Sequence, residues 1–472
     1  MSKGSNGTKA RVGALSALIA LSGAVLVHGC DDDEADAPAA AEDTPAEGEP
    51  SGDDVEDEGA QADDAEDEAP TASAEVPDDL PNGLLLAYSQ FPTGPDGSIT
   101  PTPGAALVEI LTRRGGEWHV DTIEDEASNV FHKAMVYDPP GDTPPGILTI
   151  GAMGAAVKLW HPDGDGWTAR TLWEAEFGGR FDRMRDVEVA DLYGDQRPAL
   201  AVATHDQGVV ATVRPPAEGD EYRVTELDRT PDTFIHEIEI GDLDGDGTPE
   251  VYATPSEPND LDGGEQHGTV VRFVPGAEGE AGPTVVADLG NRHAKEIWVG
   301  DVDGDGSDEL YVAVEALTEG RDPNVRIVEP VEIRRYEADT PPDQGVVIAT
   351  LPDRLCRFLT VGDVDGDGDR EMVAAAFSSG VWMLRPGRDP NGEWTKERVD
   401  PDSAGFEHAA LMADLDDDGS DELYVAADEQ GELRRYVWVN GRPRREVIHE
   451  REVPRARMTW NLMPVPRSVL GD

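Results

Sequence analysis

Ile238-Glu-Ile-Gly-Asp-Leu-Asp-Gly-Asp-Gly-Thr-Pro-Glu-Val-Tyr252 recurs without gaps at Ile297 to Tyr311, Leu359 to Val373 and Ala410 to Tyr424. The first loop aspartates of the four copies, Asp242, Asp301, Asp363 and Asp414, lie 59, 62 and 51 residues apart. Two weaker copies precede them, Val187 to Ala201 around Asp191 and Ala134 to Leu148 around Asp138. Self-similarity at such a period marks a repeat architecture and decides the fold before any single element is assigned. Ahead of each loop, apolar and other residues alternate (Ile238, Ile240; Ile297, Val299; Leu359, Val361; Ala410, Met412), the period of a half-buried strand. A short apolar run follows each loop, as in Glu309-Leu-Tyr-Val-Ala313, and turn-rich links such as Pro386-Gly-Arg-Asp-Pro-Asn-Gly392 and Val439-Asn-Gly441 separate two further strands.

Each unit therefore reads as a four-stranded antiparallel meander. Meanders repeated radially form an all-β propeller, which leaves only short, protected edges. Six units begin near residues 132, 185, 236, 295, 357 and 408. Upstream, Leu84 to Ser89, Ala106 to Leu111 and Trp118 to Ile123 look like three strands without the loop; downstream, Arg457 to Met463 is a fourth. Together they predict a seventh blade closed by both ends of the chain, with six and eight as the neighbouring counts. Over roughly residues 84–465 the sequence resembles the FG-GAP/VCBS repeat propellers, the group that includes the head of integrin α chains, most strongly in the last four units.

In Asp242-x-Asp244-x-Asp246-Gly247-x-x-Glu250, side-chain oxygens fall at positions 1, 3, 5 and 9. Calcium takes six to eight hard oxygen ligands, and a tight turn of this kind converges four carboxylates and a backbone carbonyl. The other loops supply Asp301, Asp303, Asp305 and Glu309; Asp363, Asp365, Asp367 and Glu371; and Asp414, Asp416, Asp418 and Glu422. An EF-hand is excluded because its twelfth-position Glu is replaced by Ala253, Val312, Ala374 and Val425, and because the flanks have strand periodicity. The two weaker copies have lost the set: Tyr193 and Ala199 replace ligands in one, Pro140 and Gly146 in the other. The expected role of calcium is structural, since the bare loops would crowd like charges together.

Six residues before each first loop aspartate stand His132, Arg185, His236, Lys295, Arg357 and His408, all basic in a chain where His, Lys and Arg make 48 of 472 residues. By analogy with the propeller family they would ring the central channel opposite the calcium loops and focus a positive potential there. That suggests a pocket for an anionic ligand: a carboxylated sugar, a phosphate or an acidic peptide. The plainer alternative pairs them with Asp186, Glu237 and Glu296 beside them. A transition-metal site built from His132, His236 and His408 would need their rings to converge on one ion. An enzymatic alternative is a lyase for acidic polysaccharide using His236, Lys295 and Glu296, but no nucleophile elbow, phosphate loop or zinc motif is present, so a non-catalytic binding module is the expectation.

The N-terminal residues carry an expectation about location. Lys3, Lys9 and Arg11 precede an apolar run from Val12 to Val27, and Leu26-Val27-His28-Gly29-Cys30 resembles a bacterial lipoprotein signal. The resemblance implies removal of residues 1–29, lipidation of Cys30, and a membrane-anchored protein in the bacterial cell envelope, at the outer membrane or surface; the other reading is an ordinary signal peptide. Asp31-Asp32-Asp33-Glu34 resembles a lipoprotein sorting signal. Residues 31–79 hold 22 acidic side chains and no Lys or Arg, a composition that predicts a disordered acidic tether over 30–79 and a propeller from 80 to 472. With a net charge of −61 the chain lacks the cationic excess that nucleic acid or anionic lipid would require of a partner. Cys356, the other cysteine, is expected to be a small buried apolar residue.

Overall fold

A computed structural model describes residues 76–471, apart from 96, 165, 179–181, 259–263, 277–281 and 321–324. The signal segment, Cys30 and nearly all of the acidic tether lie outside the described residues. The rest forms seven four-stranded antiparallel sheets, each a blade. Blade 1 joins the chain ends, with Arg457–Pro466 paired to Asn82–Gln90 and the latter followed outward by Ala106–Arg114 and Glu117–Asp125. Blades 2 to 7 run outward in chain order. Their innermost strands are Phe131–Tyr137, Met184–Ala190, Phe234–Gly241, Ala294–Gly300, Cys356–Gly362 and Ala410–Ala413. Each innermost strand packs on the next, and that of blade 7 packs on Arg457–Pro466, so the ring closes at seven blades. An additional hairpin in blade 5, Leu317–Glu319 with Arg326–Glu329, has no counterpart in the repeat.

Burial follows this radial order. Second strands such as Glu309–Val314, Glu371–Ala376 and Glu422–Ala427 are buried at every residue. A neighbouring blade covers each of their faces, which is why they read as continuous apolar runs rather than alternating ones. Outermost strands such as Arg223–Arg229 and Thr395–Asp400 are mostly exposed and polar. The core is accordingly divided into seven large clusters, one at every junction between adjacent blades. Leu84, Leu111, Tyr424 and Leu433 join blades 7 and 1, for example, and Tyr311, Met372 and Trp394 join blades 5 and 6. Cys356 is wholly buried in the latter cluster.

Polar bonds also stitch neighbouring innermost strands. Asp186 accepts from the Ile238 amide at 2.9 Å, Glu296 from the Leu359 amide at 3.0 Å, and Thr360 from the Met412 amide at 2.9 Å. Each donor is an amide left over on the strand of the following blade, so the channel wall satisfies its own backbone.

Candidate metal loops and channel mouth

All four acidic loops connect an innermost strand to a second strand, and so lie on one rim of the ring. The first aspartate of each folds the turn. Asp242 accepts from the amides of Asp246 and Gly247 at 3.0 and 2.7 Å, and Asp301, Asp363 and Asp414 accept from the equivalent amides. Gly247, Gly306, Gly368 and Gly419 follow with φ between 83° and 93°, a backbone state that side chains resist. As a result Asp242, Asp244 and Asp246 each bring a carboxylate oxygen within 4.8 Å of the others, as do Asp363, Asp365 and Asp367, and Asp414, Asp416 and Asp418. In blade 5 the converging trio is Asp301, Asp303 and Glu309, with Asp305 outside it. Every donor is a hard oxygen, the chemistry of a hard divalent cation.

The ninth-position glutamates show what the repeat alone did not. Glu250, Glu309, Glu371 and Glu422 are buried, and each meets an arginine from the third strand of its own blade. Arg272 lies 2.8 Å from Glu250, Arg335 3.1 Å from Glu309 and Arg385 3.2 Å from Glu371, while Arg435 contacts Glu422. Arg335 and Arg272 also reach the third-position aspartates, Asp303 at 2.7 Å and Asp244 at 2.9 Å. Tyr252, Tyr311 and Tyr424 donate their hydroxyls to Glu250, Glu309 and Glu422. Burial pushes the Glu309 carboxyl up to about 7 against the pull of Arg335, and pushes Asp416 up to about 6, with Glu422 and Asp418 adding to it. Arg272, Arg335 and Arg435 lie opposite Tyr252, Tyr311 and Tyr424, while in blade 6 Met383 takes that place opposite Val373 and Arg385 stands two residues further along its strand, so the set emerges only from the pairing register.

The loops also touch one another. Asp308, at position 8, accepts from the Asp242 amide of the preceding blade at 2.9 Å, and Asp421 does the same for Asp363 at 2.8 Å. Arg370 at that position donates to the Asp301 carbonyl at 2.9 Å.

The basic column lies at the opposite end of the innermost strands. In blades 2, 3, 5 and 6 the residue that breaks the register with the second strand is His132, Arg185, Lys295 and Arg357 respectively, and in blade 4 the break spans His236 and Glu237. These β-bulges turn the side chains away from the sheet. His408 reaches a similar end by a different backbone, with φ of 57°. All six are buried, none more than 8% exposed.

Their partners are not the carboxylates beside them in sequence. Arg357 pairs with Glu315 at 3.0 Å and Glu407 at 2.9 Å, Lys295 lies 3.8 Å from Glu315, and Arg185 reaches Glu407 from across the ring at 3.6 Å. Asp186 instead pairs with Lys133 at 3.0 Å, and Glu296 is committed to the Leu359 amide. Burial alone would raise the Glu315 carboxyl, but Lys295, Arg357 and His293 hold it well below the usual range. Burial lowers Lys295 to about 8, with Arg357 reinforcing it. His408 bonds Ser403 at 2.7 Å and the Ala376 carbonyl at 2.6 Å, so both its ring nitrogens are occupied. His132 contacts the Met184 carbonyl at 2.8 Å and stacks edge-on to Trp460, whose ring Arg185 also covers. The Nε2 atoms of His132 and His236 make no hydrogen bond among the described residues. Burial, then nearby Arg and Lys charges, push both imidazoles well below their ordinary value. His205, which the repeat did not flag, packs edge-on to His236 at 5.1 Å. His132, His236 and His408 stand on blades 2, 4 and 7. His236, Lys295 and Glu296 of the lyase alternative are all buried in this layer.

The arginine partners make the loops testable. Removing Arg335, which is 1% exposed, strands Asp303 and Glu309. Arg335→Met should cost about 3–5 kcal/mol in chelator, and Arg385→Met, on a more exposed guanidinium, clearly less. Denaturant melts of the two variants check the ranking.

Residues 363–425, which include the loops of blades 6 and 7, match the family model described as FG-GAP-like repeat. A protein from Lactobacillus plantarum of known crystal structure is similar in fold, with a TM-score of 0.50 at 10% identity over 81% of this chain and 99% of that one. A search of curated proteins gives no match. The chain is a seven-bladed β-propeller that carries an FG-GAP-like repeat.

Proposed function

We propose that this chain is a calcium-stabilised, non-catalytic binding or scaffold module, exported and held at the bacterial cell envelope by lipid on Cys30. The observation that carries the reading is the convergence of three carboxylates in each of four loops on one rim. The residues present fit calcium: Asp242, Asp244, Asp246 and Glu250 and their counterparts would hold the ion, with oxygen ligands only. A bound ion would neutralise the crowded charges and tie innermost to second strand in four consecutive blades. Because binding would occur in the folded ring alone, it would stabilise the fold by mass action, by about 1.4 kcal/mol per site at ten times Kd. The melting temperature of the purified protein should therefore rise in millimolar calcium and fall in chelator. Identical melts in the two would sink the calcium reading.

The channel mouth would take an anionic group: the carboxylate of a sugar acid, a phosphate or an acidic peptide. Arg357 is held by Glu315 and Glu407 at 3.0 and 2.9 Å, Lys295 faces Glu315, and His408 is fully bonded, so the ligand would bind chiefly to Arg185, whose contact with Glu407 is the looser one at 3.6 Å, with His132 and His236. Calorimetric titration with uronic-acid oligosaccharides and with phosphate should give saturable binding that Arg185→Ala weakens at least tenfold. Binding unchanged in that variant would place the ligand elsewhere. Release of unsaturated sugar products would favour the lyase instead.

A further inference from the structure

Most arginines among the described residues are paired, but Arg442 and Arg444 in the outermost strand of blade 7 are among those that are not. That strand, Arg442–Glu450, pairs on one side only, with Glu432–Val439. Arg442 lies opposite Val439 and Arg444 opposite Val437. Both are exposed, and neither side chain has an ion pair or hydrogen bond among the described residues. Cross-strand partners share a face, and alternation puts Val437 and Val439 on the side of Leu433. Leu433 belongs to the core between blades 7 and 1, whereas Tyr436, of opposite parity, belongs to the core between blades 6 and 7. Arg442 and Arg444 therefore stand on the face turned towards blade 1.

The described chain begins against that same junction. Val76 packs on the blade 7–blade 1 core beside Trp118. The Pro77 carbonyl accepts from Arg113 at 2.9 Å, and Asp78 and Asp79 accept from the amides of Gly116 and Gly115 at 2.9 and 3.1 Å. The Gly115–Gly116 turn of blade 1 and the Asn440–Gly441 turn of blade 7 lie on the rim that carries the acidic loops, because alternate turns of an antiparallel meander share a rim. Val76, the first described residue, thus stands at the junction and near the rim that Arg442 and Arg444 face. Residues 31–75 hold 20 Asp or Glu and no Lys or Arg, and the block Asp63, Asp64, Glu66, Asp67, Glu68 ends eight residues before Val76. Eight residues span up to about 26 Å when extended.

We propose that the acidic stretch 53–75 docks back on the outermost strand of blade 7, with its carboxylates on Arg442 and Arg444. The occupant is this segment of the same chain because its charge is complementary and because its covalent end is already fixed at the junction, which gives it a high effective concentration there. Docked, it would cover the free edge of that strand, a position proteins protect against pairing with other chains. The contact is exposed, so salt screens it.

The test replaces one arginine with an amine that carbodiimide can join to a carboxylate. In the full chain bearing Arg444→Lys, position 444 should cross-link within the monomer to acidic residues between 53 and 75, with at least tenfold less product in 0.5 M sodium chloride or when Arg442→Glu is added. Arg223→Lys, exposed on blade 3 across the ring, is the reference. Equal yields from the two positions, products only between chains, or products only with acids of the folded ring would each overturn the proposal.

Discussion

Like charges gathered into a tight turn are the constraint around which this ring is organised. Each of the four complete loops brings three carboxylates together, and in blades 4, 6 and 7 a buried ninth-position glutamate adds a fourth, while in blade 5 that glutamate is already one of the three. Left alone, such a group would repel itself and favour opening of the hairpin. The fold answers in two ways visible in the side chains: the first aspartate is spent on backbone amides, and the last glutamate is met by an arginine from the third strand. The answer is partial. Burial still lifts Glu309 and Asp416, and a divalent cation would complete it. The loops of blades 2 and 3 have lost part of the set. In blade 3, Asp195 pairs with Arg197 and Arg214, and Tyr193 lies under Arg214 with ring and guanidinium 4.3 Å apart.

The two ends of the channel are chemically distinct. One rim carries the acidic loops, linked blade to blade through Asp308, Arg370 and Asp421. The other carries bulged basic residues, drawn together across the ring by Glu315 and Glu407. Between them Lys133 pairs with Asp186 and Glu188, while Glu237 and Glu239 are lifted well above the carboxylate range, first by burial and then by neighbouring acids. A closed ring lets Arg185 of blade 3 meet Glu407 of blade 7, a pairing no local reading of the chain could supply.

Much of this was legible in the sequence, for reasons specific to repeats. The spacing of Asp242, Asp301, Asp363 and Asp414 showed the blades, and the leftover strands around Leu84 and Trp460 showed how the ring closes, since each blade must bury both faces of its second strand. Ligand clusters were legible because their residues lie within nine positions of one another. What escaped were contacts set by register and closure. The arginine column was hidden because Arg272, Arg335, Arg385 and Arg435 lie at varying distances in sequence from the loops they serve. The basic column was visible, but its partners were not: Asp186 and Glu296 are adjacent in sequence yet bond elsewhere, while Glu315 leaves the second strand of blade 5 and Glu407 precedes the first strand of blade 7. The bulges that bury the column also left no mark that alternation could detect.

Direct calorimetric titration of the metal-free protein with calcium tests the central claim. Four ions bound per chain, falling to three in Asp414→Asn, would agree with loops that are complete in blades 4 to 7 and degenerate in blades 2 and 3. Absence of binding at millimolar calcium, or a stoichiometry unmoved by that substitution, would contradict it.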